Sequence, residues 1–420
     1  MGSVLTLNDV RLTGRRVLLR LDVNSPLDPA TKEFLDDTRF RRALPTLRKL
    51  ADAQVVILAH QSRPNRVDFT TMERHADRLS RLLGRVITYI PDVCGEVAQK
   101  AIRNMQQGDM LFLDNVRRHP DEMAMKKASP EQLSESEIVA NLAPLVDAYV
   151  TDAFAAAHRK SPTLCGFSTV LPCIAGELMA AEVLALKTAV ENPPRPYTVV
   201  LGGVKCDDSL EIATHLASLD LADNIVPVGV VGNLMLWASG VDIGSSNKDF
   251  IRSELAEDFE DTWMMANSLI EHHSARLILP IDVAAEIDGE RVAVDVGDLP
   301  VNGPLLDIGL GTLMHMQSAI MDAGCVVWNG PAGYFENPKF AFGTIEILNQ
   351  CCESDAFVVI GGGHTSSLVA ERKVEHLVSH SSTGGGACLT MLAGKSMPGI
   401  SALEASAKLY QDSLGDLKSL

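Results

Sequence analysis

Residues Val358–Ala370 read VVIGGGHTSSLVA: an apolar run stops at three glycines, and His364, Thr365 and two serines then open what the pattern predicts to be a helix. An apolar run rich in β-branched residues, a turn of bare backbone and a helix start make one strand–turn–helix unit of a parallel α/β sheet. The same unit recurs along the first half, at VLLRLDV from Val17, VVILAH from Val55, VITYI from Val86, MLFLDNV from Met110 and AYVTDAF from Ala148. It resumes with YTVVLGGV from Tyr197, NIVPVG from Asn224, LILPIDV from Leu277, CVVWNGP from Cys325, AFVVIGG from Ala356 and HLVSHSST from His376. Runs that are apolar at consecutive positions belong to strands buried on both faces. The predicted class is α/β, with two doubly wound parallel-sheet (Rossmann-like) domains.

A chain of 420 residues exceeds what one core usually supports, which agrees with two domains. Between the two series of strands lies IAGELMAAEVLALKTAVENPPRP, where Ile174, Leu178, Ala181 and Ala185 share a helical face and the proline-rich end stops the helix. We therefore expect a first domain over 1–173, a connecting helix and hinge over 174–192, and a second domain over 193–401. The closing stretch reads as one more helix, about 402–420, that could dock back on the first domain.

The formal net charge of −17 argues against a nucleic-acid surface or a membrane-surface anchor, both of which need clustered positive charge. Eight cysteines are spread without a CxxC pair or zinc-type spacing, so neither a disulfide framework nor a structural metal is expected, and Cys351 and Cys352 read as small buried apolar residues. The start MGSVLT lacks the basic and apolar segments of a signal peptide and carries only a short myristoylation-like pattern ending at Thr6. The most apolar window, Ile225–Val241, is broken by a proline, three glycines and Asn233, and falls short of a bilayer span. A cytoplasmic protein is expected.

Ligands of open α/β sheets sit beyond the C-terminal ends of the strands, so residues following each apolar run carry the functional signal. Three such segments in the second half are glycine-rich: LGGVKCDDS from Leu201, IGGGHTSS from Ile360 and SSTGGGACL from Ser381. Each opens a helix, where unpaired N–H groups and bare backbone suit a phosphate, and the first adds Lys205. None has P-loop spacing, and Gly361-x-Gly363 continues to Ser366 instead of completing a dinucleotide fingerprint. In the first half the strand ends carry Asp22, Asn24, His60, Arg63, Arg117, His158 and Arg159, with Arg39 at a helix start. Arg41, Arg42, Arg66 and Arg118 are assigned to solvated surface. Arginine forks match carboxylates and phosphates. One domain for a small anion and one for a nucleotide polyphosphate describes a phosphotransferase. A carboxylate acceptor would need no general base, and catalysis would rest on alignment and charge neutralisation.

The ordered motifs RLDVNSP, DDTR, AHQSRP, LDNVR, DAFAAAHR, LGGVKCDDS, VVWNGPAGYFE, IGGGHT, STGGGACL and GKSMPG resemble the phosphoglycerate kinase family over nearly the full length. The KxDDS and GGGHT forms look most like its archaeal branch. The resemblance implies a two-domain kinase exchanging a phosphoryl group between Mg2+-bound ATP and the carboxylate of 3-phosphoglycerate, and a monomer is expected. By that resemblance Asp22, Asn24 and Arg39 would hold the hydroxy-carboxylate end, and His60, Arg63, Arg117 and Arg159 the phosphate. Lys205 would contact nucleotide phosphates, Asn329 and Glu336 the ribose end, and Gly361, Gly362 and Gly363 with Thr365 the group in flight. Gly384, Gly385 and Gly386 would support that wall. Catalysis would fall to Arg39, Lys205 and Gly361–Gly363, and Asp208 would help hold Mg2+.

Five departures stand out against the family pattern. Ser209 replaces a second lysine, VPVGVVGN from Val226 has fewer glycines, Ser62 replaces a glycine, Arg118 replaces a common aromatic, and His364 replaces an aspartate that helps place the metal. His364 either donates to a phosphate, leaving the metal to ATP oxygens and Asp208, or caps its helix without touching a ligand. A catalytically silent binding relative is the alternative; retention of Lys205, Arg39 and the arginine set argues against it, and the missing fingerprint argues against a dehydrogenase.

Overall fold

The computed structural model describes residues 4–410, together with 414 and 417. The Met-Gly-Ser start of the myristoylation-like pattern and most of 411–420 lie outside the described residues. The chain forms two compact units, one of residues 1–183 with 396–420 and one of 184–395.

The first unit is built on strands β1 (Leu5–Thr6), β2 (Arg16–Arg20), β3 (Gln54–Leu58), β4 (Thr88–Ile90), β5 (Met110–Leu113), β6 (Ala148–Thr151) and β7 (Cys173–Ala175). They form a single sheet in the order β1-β7-β6-β2-β3-β5-β4, parallel throughout. Val17, Leu18, Leu19 and Val55–Leu58 are fully buried, as strands covered on both faces require. The helix Pro398–Tyr410 belongs to this unit: Ser406 accepts the Cys173 N–H at 2.8 Å, and the Gly399 N–H reaches Ala157 O at 2.9 Å.

In the second unit β8 (Tyr197–Leu201), β9 (Asn224–Pro227), β13 (Cys325–Asn329), β14 (Phe357–Gly361) and β15 (His380–Ser381) form a parallel sheet ordered β15-β14-β13-β8-β9. Strands β10 (Asp282–Ile287), β11 (Glu290–Asp295) and β12 (Leu305–Ile308) form a separate antiparallel sheet.

Two expectations need correction. LILPIDV is not a strand of the parallel sheet: Leu277 makes a single parallel bridge to Ile225, Pro280 follows without an N–H to continue a ladder, and β10 begins only at Asp282 in the antiparallel sheet. The helix expected from residue 174 is Glu177–Glu191, because Cys173–Ala175 is β7. Gly176 separates them, pressed so closely on Asp152 that a Cβ would lie 2.3 Å from its carboxylate. Asp152 takes the Met179 N–H at 2.9 Å and so caps the helix start. The division between the units falls within this helix, after Val183.

Candidate active site

In the first unit the ends of β2, β3 and β6 and the turn after β5 place charged side chains round one pocket of about 260 Å³, lined by Arg20, His60, Arg63, Arg117, Arg159 and Glu122 among others. His60, Arg63, Arg117 and Arg159 were expected together from the sequence; Arg20 was not. It is the last residue of β2 and only 1% exposed. Its Nε donates to Thr163 Oγ1 at 3.1 Å, and that hydroxyl donates to the buried Glu122 at 2.6 Å. Glu122 also accepts from Ser161 Oγ at 2.8 Å and from the Thr163 N–H at 3.1 Å.

The Arg20 guanidinium also lies 3.2 Å from His60 Nδ1. A guanidinium has no lone pair to offer, so Nδ1 accepts and the ring proton sits on Nε2. Burial, then the charges of Arg20, Arg117 and Arg159, push the imidazole well below its ordinary value against the pull of Asp22, so His60 is a neutral donor. Burial, then Arg159 and Arg20, bring Arg117 down to about 10, and burial with Arg63 and Arg20 lowers Arg159. Like charges that depress one another mark a pocket that an anion would relieve.

Asp22 and Arg39 pair at 2.6 Å. Burial would raise the Asp22 carboxyl, but the Arg39 charge, then the Asn24 N–H and Arg20, outweigh it and hold the value at about 2. Asn24 is occupied by the backbone: its Oδ1 accepts the Ser62 N–H at 2.8 Å. Ser62 stands at φ 58°, where glycine is usual, and its hydroxyl donates to Asp68 at 2.6 Å. Its carbonyl accepts from Arg117, which ties the turn to the pocket. Arg118 pairs with Asp114 at 3.1 Å and Arg41 approaches Asp37 at 4.0 Å, each with an acidic partner outside the pocket.

The second unit holds a cavity of about 740 Å³, mainly apolar, walled by Val204, Val230, Phe250, Leu305 and Tyr334 among others, with Glu336 and His364 on its lining. Lys205 precedes the helix Cys206–Ser218, is 72% exposed and lies 3.6 Å from Asp208. Burial, then Asp207, raises the Asp208 carboxyl above its ordinary value.

Several expected residues do structural work. Thr365 is buried, and its hydroxyl donates to the carbonyls of Gly361 and, at 3.2 Å, Gly362. Gly362 has φ 84°, and a Cβ there would sit 2.9 Å from Asn329 Oδ1, so only bare backbone fits. Asn329 is 6% exposed at the end of β13, outside the cavity lining, with its Oδ1 buried and without a hydrogen-bond partner. The glycines of LGGVK serve close approach: the Gly203 N–H bonds Pro331 O at 2.8 Å, and a Cβ on Gly202 would lie 2.4 Å from that oxygen. Gly384 donates to Ser382 Oγ at 3.1 Å, and Ser366 Oγ to Ser382 O at 2.9 Å, which joins the turns after β14 and β15. Gly385 caps the next helix at φ 50°.

The Phosphoglycerate kinase family model matches residues 7–395. A phosphoglycerate kinase of Methanosarcina mazei is 43% identical over 411 residues, covering 98% of this chain and 97% of its own. One from Methanothermobacter thermautotrophicus is 42% identical over 403 residues, covering 96% and 97%. The crystal structure of phosphoglycerate kinase from Pyrococcus horikoshii OT3 aligns with TM-score 0.87 at 34% identity, over 96% of this chain and 99% of that one.

Proposed function

Because the chain belongs to the phosphoglycerate kinase family, we propose that its two sites divide one reaction between them. That reaction is the reversible transfer of a phosphoryl group between ATP and the carboxylate of 3-phosphoglycerate, giving ADP and 1,3-bisphosphoglycerate. The observation that carries the assignment of sites is the convergence of Arg20, Arg63, Arg117 and Arg159 with a neutral His60 on one pocket in an acidic protein.

The phosphate of phosphoglycerate enters this pocket, where guanidinium forks meet its oxygens and His60 Nε2–H adds a neutral donor. Asp22, held ionised, accepts the substrate hydroxyl and fixes Arg39, with Asn24 holding the turn beside it. Arg39 then faces the carboxylate and the transferring group. The acceptor carboxylate is already ionised at neutral pH, so no residue removes a proton. The chain supplies position and positive charge where charge spreads in the transition state.

The apolar cavity of the second unit takes the nucleotide base, Glu336 the ribose, and Lys205 the phosphates. The Gly361–Gly363 turn cradles the transferring group, backed by Asn329 and braced by Thr365 and the Gly384–Gly385 turn. His364, on the cavity lining, donates to a phosphate. Asp208 fits a magnesium ion brought with the nucleotide, because a carboxylate strained by burial and by Asp207 gains from a nearby cation. Held there, the ion would supply positive charge against the phosphate oxygens.

The test is a coupled assay with 3-phosphoglycerate and Mg2+-ATP that records acyl phosphate through a dehydrogenase consuming it. Turnover is expected in the wild type and lost in Lys205→Ala, while His364→Ala raises the nucleotide KM with an unchanged Mg2+ dependence. Full turnover in Lys205→Ala would remove that residue from the reaction. No turnover in a wild type that still binds nucleotide would support the silent relative. A lost Mg2+ response in His364→Ala would give that residue to the metal.

A further inference from the structure

The kinase reading leaves unused a donor set in the first unit. Cys94 lies between β4 and the helix Glu96–Arg103, His119 caps the helix Pro120–Ala124, and Glu137 opens the helix Glu137–Leu142. From these three segments a sulfur, an imidazole nitrogen and a carboxylate oxygen come within 4.8 Å of one another, the only such group of three found among the described residues. The thiol is buried, the imidazole 14% exposed and the carboxylate exposed, so the set grades from interior to solvent and an ion can enter past Glu137.

The separation of the imidazole and the carboxylate suits a small tetrahedral ion. His119 Nε2 and Glu137 Oε2 are 3.4 Å apart, and two ligands each about 2.0–2.2 Å from a tetrahedral centre stand roughly 3.3–3.6 Å apart. A supporting carboxylate is present: Asp121 Oδ2 lies 3.9 Å from His119 Nδ1 and already accepts the Glu137 N–H at 3.0 Å. With Nε2 on a metal the ring proton moves to Nδ1. The present contact, in which Nδ1 accepts the Asp121 N–H at 3.3 Å, then gives way to donation to that carboxylate. Asp92 is already spent on the N–H groups of Gly95 at 3.0 Å and Ala98 at 2.9 Å, which leaves it as nearby negative charge.

We propose that Cys94, His119 and Glu137 bind a borderline divalent transition ion of the zinc type, at a site apart from the kinase reaction. One sulfur, one imidazole and one carboxylate favour such an ion over the hard cations that prefer oxygen, and three protein ligands leave a fourth position to water. The ion would tie the turn after β4 to the segment that also carries Arg117 and Glu122.

Chelator-stripped full-length protein is titrated with Zn2+ against a chromogenic chelator, in the wild type, Cys94→Ser and Glu137→Gln, with folding followed by circular dichroism. The wild type is expected to take one equivalent more than Cys94→Ser, and Glu137→Gln to bind at least about tenfold more weakly. The same protein loaded with Co2+ should show a thiolate-to-cobalt absorption absent from Cys94→Ser, and excess Mg2+ should displace neither ion. Equal zinc uptake by folded wild type and folded Cys94→Ser, or a cobalt spectrum without the thiolate band, overturns the site. Glu137 is exposed, so its variant keeps the fold whatever Cys94→Ser does; unchanged affinity there overturns the three-ligand arrangement as well.

Discussion

At the scale of single residues, the two arginines argued to meet the substrate differ in what they face. Arg39 is fixed by Asp22 at 2.6 Å and is assigned to the acceptor carboxylate and the transferring group, whose charge changes during reaction. Arg159 lines the pocket proposed for the substrate phosphate, whose charge is the same before and after transfer. Arg39→Ala is therefore expected to lower kcat by about 10²–10³, and Arg159→Ala mainly to raise the KM for phosphoglycerate. Steady-state kinetics that move both parameters equally in both variants would reject this division. Strand-end charges such as Arg63, Arg117 and Arg159 were legible in sequence because an apolar run announces where its end must be. Arg20 was not, since it lies inside the run VLLRLDV and reads as an interruption. The available signal was chemical: a charged side chain amid consecutive apolar positions must be buried and paired, and Arg20 is, through Thr163, Leu21 and His60.

Among elements, the buried parallel strands could be read because their apolar runs are continuous. The antiparallel ribbon was missed although its turn was written in the chain. Ile287 pairs with Glu290 across Asp288 and Gly289, which stand at φ 52° and 78°. A two-residue Asp-Gly loop with both residues in the left-handed region matches the twist of a hairpin and is among its strongest local signals. It was hidden because LILPIDV just before it looked like one more parallel strand. The helix Glu177–Glu191 poses a conflict that sequence could not weigh: Asp152 caps its start, where the helix dipole favours a carboxylate, yet the side chain is almost fully buried. Burial wins over the Thr46 hydroxyl and the Met179 and Leu178 N–H groups, and the carboxyl is pushed up to about 6 from 3.8. The native state thus holds this proton more tightly than the unfolded chain does. The stability so contributed is present below about pH 4 and lost as pH rises through 6, on the order of 2–3 kcal/mol. Asp152→Asn should therefore gain stability relative to the wild type between pH 4 and pH 7.5, read as the difference in urea midpoint. A difference that does not change with pH would reject the burial of this charge as its cause.

For the whole molecule, a net charge of −17 repels anionic substrates at long range, and the chain answers it locally with four arginines, Arg20, Arg63, Arg117 and Arg159, round one pocket of the first unit. The apolar cavity proposed for the nucleotide is lined only by residues of the second unit. On the proposed assignment the acceptor carboxylate and the transferring phosphoryl group are held by different units, and in-line transfer needs them within bonding reach with water excluded. Neither ligand alone touches the groups assigned to the other, so neither alone carries the interaction energy that would hold the units in a reacting arrangement; a ligand shifts a conformational equilibrium only by its differential affinity for the two states. Small-angle scattering should show the radius of gyration fall when phosphoglycerate and nucleotide are both bound, and change little with either one. The forward scattering also reports mass, and we expect the 45.3 kDa of one chain in every state. Full compaction with a single ligand would mean that one site already communicates with both units. No compaction with both would mean that the reacting groups meet by local movement of the turns after β8 and β14.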